Sequence, residues 1–540
     1  MGMEITPILG APLLLFCLFR LTSTLTLFTS STTFPEDIPI VGVRKQIFKV
    51  CRASIRQLYS GVRTLLEGYT QYSQHGKPFV VYDPSARQEL LLPAEHVKWF
   101  SEQPDSKLSS HDVRQERHAV RYLQKGVNLE PTMHFMERIC GDRLSKNLHT
   151  LQEPLHDELR RCIDTVFGTA DEWKGVCVYS AMEVIVMPAM SRVFLGLPLS
   201  RDPRILTAFR RYILAMGLAV NFVGELPKAL KGVVARVVGI PLSYYRWQTL
   251  RVLTPVVAGQ LKYRLEKTQE GDGADFIRHC AKISEKNMVG GKGVVSDPRI
   301  IAEWIMSLGF AGSTSTIIQS TNLLLDVAYC QLQTDVIESL HQEAEAAGLD
   351  GGDENWAKRR TFDRELVLAD SAIRETLRYH PMLIKGMTKE IVSSEGLTLP
   401  DGKTHLPQGG WVGVPTLGIH RDERFYPHAD VYDPFRFVPT KKPGFCNSTE
   451  KTVTEEDDDE KLLAGRPTTT YLGFGYGRHA CPGRWVSVLM LKMILVYITL
   501  HYDVEPGDRP PPQNMKVLGD AVLPPTSATI RVRRRKAAGR

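Results

Sequence analysis

Residues 474–484 of this 540-residue chain read FGYGRHACPGR, and Cys481 within them has the surroundings of a metal ligand. Gly475, Gly477 and Gly483 leave the backbone free for tight turns and for close approach to a flat ligand. Pro482 follows, and the apolar stretch 485–502 beyond it reads as a helix. A cysteine at the start of a helix feels the positive end of the helix dipole, which favours thiolate. Thiolate is the form that binds iron and pushes electron density onto it. A lone cysteine in a glycine-rich turn is weak evidence; the complete string is much stronger.

That string resembles the haem-binding loop of the cytochrome P450 family, with Phe474, Gly477, Cys481 and Gly483 in its required places. The resemblance implies that Cys481 is the axial ligand of the iron in haem b. His479 stands where the family more often has arginine, and by the same resemblance contacts a haem propionate. Glu375-Thr376-Leu377-Arg378 resembles the family's ExxR element, whose spacing puts both charges on one helix face. An isolated ExxR would by default be a surface ion pair. Pro434-Phe435-Arg436-Phe437 resembles the second arginine element, and Gly418-Ile419-His420-Arg421-Asp422 the segment before it. The resemblance implies a buried triad of Glu375, Arg378 and Arg436 that supports the haem loop without taking part in the chemistry. Weaker carry-overs toward the propionates are His134, Arg138 and Lys389, all surface charges by default.

Ser296-Asp297-Pro298 supplies a cap residue and a first-turn proline, and predicts a helix over about residues 299–331. Within it lie Gly309, Ala311, Gly312, Ser313, Thr314, Ser315 and Thr316. Each helix-interior glycine costs about 1 kcal/mol relative to alanine. Close approach to haem and oxygen is the expected reason for both, with small-residue packing between helices as the bland alternative. The segment resembles the family's AGxDTT pattern, but Thr314 replaces the usual acid and Ser315 the usual threonine. Ser315 and ordered water are expected to deliver protons during oxygen activation. Thr316 offers a second hydroxyl, and Thr314 can only pass protons along a chain. Without the acid, coupling of NADPH to product is expected to be less robust, and C–C cleavage stands open beside hydroxylation.

These groups need a scaffold, and the composition, 43% apolar and 24% charged, is that of an ordinary globular protein. Apolar residues recur at three- and four-residue spacing over about residues 148–340, which reads as helices. Strand-like runs are 79–82 and 396–414, the latter with the turn Pro400-Asp401-Gly402. This predicts an α-rich mixed α/β fold rather than a doubly wound sheet. The resemblance makes it the cytochrome P450 fold, a triangular helical body with small β-sheets. The expected division is a membrane anchor over 1–30, a proline-containing hinge over 31–45 and a haem-thiolate catalytic domain over 46–540.

Residues 5–28 are apolar or small apart from Arg20, close to the ~20 needed to span a bilayer. No basic segment precedes them as in a signal peptide, and Arg44, Lys45 and Lys49 follow. The positive-inside rule then puts the body in the cytosol, on a single-pass anchor in the endoplasmic reticulum membrane. Arg20 leaves a tilted or shallow anchor open. Six of the net seven positive charges fall in residues 531–540, read as a solvated tail, so nucleic acid binding has little support. Nine cysteines without CxxC pairs argue against a disulfide scaffold or structural zinc. The sequon at Asn447 reads as accidental in a cytosolic body, and the acidic run 454–460 as a solvated loop.

The resemblance implies a monooxygenase that takes O2 and electrons from NADPH through cytochrome P450 reductase and oxidises a lipophilic small molecule. YDPFRF, IHRDE and GRHACPGR look most like fungal members that act on terpenoids, polyketides and alkaloids. Two other classes remain open. A non-oxygenase haem-thiolate enzyme (isomerase, dehydratase or peroxide-dependent) would not depend on NADPH or reductase. A non-catalytic haem-binding protein would show no substrate-induced change in iron spin state.

Overall fold

The computed structural model describes residues 34–44, 48–123, 140–141, 148–266, 276–277, 279–280, 297–331, 333–351, 356, 365–439 and 462–536. The expectations for residues 1–30, His134, Arg138, Asn447 and the acidic run fall outside them. The principal helices are α1 (Lys49–Gln71), α2 (Ser110–Arg117), α3 (His149–Phe167), α4 (Val178–Leu195), α5 (Pro203–Gly224), α6 (Lys228–Glu266), α7 (Pro298–Tyr329), α8 (Gln333–Ala346), α9 (Val367–Tyr379), α10 (Thr416–His420) and α11 (Arg484–His501). The cap read in the sequence starts α7: Arg299 N–H donates to Asp297 Oδ1 at 2.9 Å, and Pro298 fills the first turn. From there α7 runs through the middle of the helical body against α4, α5, α6, α9 and α11. Helices α4 and α11 are apolar enough to cross a membrane, yet 78% of each lies inside the body, so they are core helices.

The strands are β1 (Phe79–Tyr82), β2 (Gln88–Leu91), β3 (Leu108–Ser109), β4 (Lys174–Cys177), β5 (Gly386–Ile391), β6 (Leu397–Thr398), β7 (His405–Leu406), β8 (Trp411–Val414), β9 (Tyr502–Pro506), β10 (Val517–Leu518), β11 (Ala521–Val522) and β12 (Thr529–Arg534). The largest sheet has the order β1-β2-β8-β5-β3, with β2 and β8 parallel and the other neighbours antiparallel. A second sheet runs β4-β12-β9, and β6–β7 and β10–β11 are separate hairpins. In the β6–β7 turn, Asp401 Oδ1 accepts from Lys403 N–H and Thr404 N–H, both at 2.9 Å, beside Gly402 at φ +69°.

Two expectations are corrected. The described part of the expected hinge, from Phe34 onward, is packed into the body rather than free of it. Phe34, Ile38 and Val41 are buried, and Val80 N–H donates to Pro39 O while Val41 N–H donates to Val80 O, each at 2.8 Å. Apolar side chains and an open edge at β1 capture the segment. The basic tail is likewise not simply solvated. Ile530 and Val532 alternate with arginines at period two and are buried in β12, while Arg533 pairs with Asp503 and Arg534 with Asp164, both at 2.7 Å.

A buried ionic cluster fastens the end of α2 and the β10–β11 turn to the large sheet. Glu89, fully buried on β2, accepts from Arg117 at 2.8 Å and from Lys385 and Thr388 at 2.7 Å. Lys385 also reaches Asp520, at 3.1 Å, in the β10–β11 turn. Burial alone would raise the Glu89 carboxyl, but the charges of Arg117 and Lys385 take it down to about 2. Glu225, at the end of α5, lines the same small cavity as Asp83 and Asp520. Burial first, then those two carboxylates, push it up to about 8. Folding therefore keeps a proton on Glu225 that the unfolded chain, near 4.5, has released. Its contribution to stability is full below the unfolded value and is lost as pH rises through the folded one. The melting temperature of the parent relative to Glu225→Gln should fall between about pH 5 and pH 8. A difference that stays flat over that range contradicts a carboxyl kept protonated by the fold.

Candidate functional site

The loop carrying Cys481 is closed by its own backbone. Cys481 N–H donates to Phe474 O at 2.8 Å, Gly475 N–H to Leu472 O at 2.9 Å and Ala480 N–H to Gly477 O at 3.1 Å. Gly477 has φ +75°, and a Cβ there would lie 2.8 Å from Ser101 Cβ, so side chains are excluded on two counts. Phe474 packs half-buried against the main core, and Gly483 is the residue before the first turn of α11. Among the described cysteines, Cys481 alone is exposed. Protein still surrounds its other sides. Burial pushes the thiol up, outweighing the Gly483 and Arg484 backbone N–H groups and the Arg484 charge, which pull it down. The helix start thus favours the thiolate as expected while desolvation opposes it, and a bound metal cation is what would supply the remaining charge.

The ExxR element is not a surface pair. Glu375 and Arg378 are both fully buried, joined by two hydrogen bonds of 2.7 Å. Arg436 Nε donates to both oxygens of the same carboxylate at 3.1 Å. Arg378 Nη1 also donates to His420 O at 2.5 Å and to Ala429 O at 2.8 Å, and Arg436 Nη1 to Pro427 O at 2.6 Å. One carboxylate thereby ties α9 to α10 and to residues 427–436. The spacing of Glu375 and Arg378 on α9 sets up the first pair; the third partner arrives from 61 residues away.

Beside the cysteine loop lies a cluster of cations. His479 Nε2 donates to Asp105 Oδ1 at 2.9 Å, and Arg478 donates to the same oxygen at 3.0 Å. Lys389 on β5 is only 3% exposed, which overturns its reading as a surface charge. Its ammonium stands 5.1 Å from the Phe100 ring centroid and has no hydrogen-bond acceptor among the described residues. Burial first, then Arg478, push Lys389 down to about 8. A buried ammonium without an acceptor is costly unless an anion joins it. His479 Nδ1 is likewise buried with no hydrogen-bond partner among the described residues. An exposed thiol, a loop that admits no Cβ at Gly477, and an orphaned lysine and imidazole nitrogen at its rim fit a flat metal cofactor with carboxylate arms.

Helix α7 presents different faces to different neighbours. Ser315 Oγ donates to Ala311 O at 2.8 Å, on the less buried stripe of Ser307, Ala311 and Ser315. Thr316, 1% exposed, turns away toward α11, its Oγ1 lying 3.5 Å from Ser487 Oγ. Thr314 Oγ1 is buried with no partner among the described residues. The hydroxyls are thus not one cluster. The glycines also have another explanation than the one expected. A Cβ on Gly309 would meet Phe209 of α5 at 2.6 Å, and one on Gly312 would collide with the Met190 methyl of α4. Their smallness serves helix packing.

The comparisons agree with this geometry. The family model described as Cytochrome P450 matches residues 248–532. The chain is 56% identical to cytochrome P450 monooxygenase efuH of Hormonema carpetanum, over 93% of this chain and 87% of that protein. It is 54% identical to cytochrome P450 monooxygenase fsoD of Humicola fuscoatra, over 94% and 95%. Among solved structures, it resembles a retinoic acid-bound cyanobacterial CYP120A1 (TM-score 0.64, 14% identity, 93% of this chain and 100% of that one) and the cytochrome P450 CYP102L1 (0.65, 17%, 92% and 100%). With relatives above half identity along nearly the whole chain and this fold beneath them, the chain belongs to the cytochrome P450 family and is a haem b-dependent monooxygenase.

Proposed function

We propose that Cys481 is the axial ligand of haem b, that Lys389 and His479 meet its carboxylate arms, and that the enzyme oxidises a lipophilic fungal secondary metabolite with electrons from NADPH-cytochrome P450 reductase. The observation that carries this reading is the glycine-closed loop with its exposed cysteine, flanked by a buried lysine that has no acceptor among the described residues. Bound there, haem b supplies the activation of O2, one atom of which enters the substrate while the other leaves as water. The protein's own part is to hold, orient and protonate. Glu375, Arg378 and Arg436 brace the loop from behind and touch neither substrate nor cofactor. Phe474, Gly477 and Gly483 shape the turn. Ser307, Phe310 and Ala311 offer one wall to a substrate, and a lipophilic molecule suits so sparsely charged a stripe.

Ser315 is the hydroxyl placed to handle protons. Its own hydrogen rests on Ala311 O while the oxygen is free to accept from water; to relay a proton, that hydrogen leaves Ala311 O for the acceptor and the water replaces it. Thr316 is assigned to the α7–α11 contact rather than to proton delivery, and Thr314 has no acid to offer. With reductase, NADPH, O2 and a turned-over substrate, Ser315→Ala should divert electrons from product to hydrogen peroxide. General acid assistance is commonly worth about 10²–10⁴ in rate, so the effect should be large. Thr316→Ala should keep the parent's ratio of product to NADPH. Equal uncoupling in both variants, or none in Ser315→Ala, contradicts this division.

For location, we infer a single-pass anchor over residues 1–30 in the endoplasmic reticulum membrane, with the body, beginning by Phe34, in the cytosol. The outward face of α6 supports a second membrane contact. Val233, Val237, Ile240, Tyr244 and Trp247 recur there at three- and four-residue spacing and are all more than half exposed. No Asp or Glu lies between Lys228 and Leu265, and Lys228, Arg236 and Arg251 border the stripe. Deleting residues 1–30 should release most of the protein from microsomes with its haem retained, and adding Val237→Glu with Trp247→Glu should release the remainder. Protection of the body from protease in sealed microsomes would show the topology to be reversed.

A further inference from the structure

We propose that His420 is a positioning residue that sets the height and tilt of the cysteine loop by carrying the rigidity of the Glu375–Arg378–Arg436 group to Leu472. The ring is fully buried at the end of α10. Leu472 N–H, three residues before Gly475, donates to His420 Nε2 at 2.8 Å. A backbone amide has only a hydrogen to give, so Nε2 must be bare. The proton therefore sits on Nδ1, which donates to Arg378 O at 3.0 Å. That carbonyl belongs to the last turn of α9, where no intrahelical partner is available. Arg378 returns the contact through Nη1 to His420 O. Histidine and arginine thus hold each other from both directions. The ring is also parallel to Tyr471, with centroids 6.1 Å apart, and Tyr471 Oη is itself anchored on Ala464 O at 3.0 Å.

Only the neutral Nδ1–H tautomer satisfies both neighbours. Burial and the adjacent Arg378 charge keep it neutral, pushing the imidazole down to about 3. From Leu472 the path is short: Leu472 O accepts from Gly475 N–H, and Phe474 O accepts from Cys481 N–H. The path matters chemically because a thiolate–metal bond depends on the distance and angle at which the loop offers its sulfur.

The inference rests on Cys481 being the ligand, and the experiment separates the two. The reduced carbon monoxide spectrum of the parent holoenzyme reports on Cys481; differences between variants and parent report on His420. The two halves of the imidazole can be tested one at a time. His420→Asn keeps a donor near Nδ1 but nothing at Nε2, whereas His420→Gln reaches the Nε2 position with an amide oxygen. His420→Leu keeps bulk and neither bond. The expected result is a several-fold rise of the thiol-type band over the thiolate-type band in His420→Asn and His420→Leu, with His420→Gln near the parent. Matching shifts in iron reduction potential should follow the same order. Parent-like spectra in all three variants, or equal loss in His420→Gln and His420→Leu, overturn the proposal and leave His420 a packing residue. Where a variant fails to fold, hydrogen exchange at Leu472 in the parent holoenzyme decides. Slow exchange is expected, and exchange as fast as in an open loop overturns the bond.

Discussion

Glu375 is one carboxylate held without solvent between two guanidiniums, and most of what surrounds the proposed haem site hangs from it. Burying three charges is expensive, and such a group adds little stability over a well-packed apolar one. Removing one member is another matter, because the charges left behind lose compensation worth about 3–5 kcal/mol. The arrangement therefore acts as a constraint. While Glu375 stays between Arg378 and Arg436, the end of α9, the short helix α10 and residues 427–436 hold a fixed relation. Strand β5, which carries Lys389, begins seven residues after Tyr379 closes α9. The lysine and the cysteine loop are thus both placed from the same helix.

Helix α7 is held to this frame from several sides. Gly309 and Gly312 admit Phe209 and Met190 close to its backbone, and Thr316 faces Ser487 on the helix that follows the cysteine loop. These contacts fix its rotation about its own axis. Only then does Ser315 rather than Thr316 come to lie on the open stripe. On the proposed assignment, proton supply through Ser315 with Thr314 in place of an acid would depend on water, so small rotations of α7 would matter to coupling more than with a carboxylate present.

Much of this was legible in the residue order, where local chemistry decides the outcome. Asp297 and Pro298 start α7 as capping rules require, and the spacing of Glu375 and Arg378 on one helix face is a property of the helix itself. Arg436 could be joined to them only by resemblance, since nothing local draws together residues 61 positions apart. Other features were decided by tertiary packing. Lys389 looks like any surface lysine until Phe100 and the large sheet close over it. Segment 34–41 reads as part of a proline-containing hinge, but its apolar residues found an open strand edge. The arginines of the tail drew attention away from Ile530 and Val532, whose alternation marks β12. Gly309 and Gly312 were legible as a close approach, though not as to what approaches.

The central claim is that Cys481, as thiolate, holds the haem iron. The most direct measurement is the spectrum of the reduced carbon monoxide complex in Cys481→Ala, taken beside the parent at matched haem content. Loss of the thiolate-type band in the variant, with the band present in the parent, is the result predicted here. Its persistence in Cys481→Ala would place the ligand on another cysteine and contradict the account.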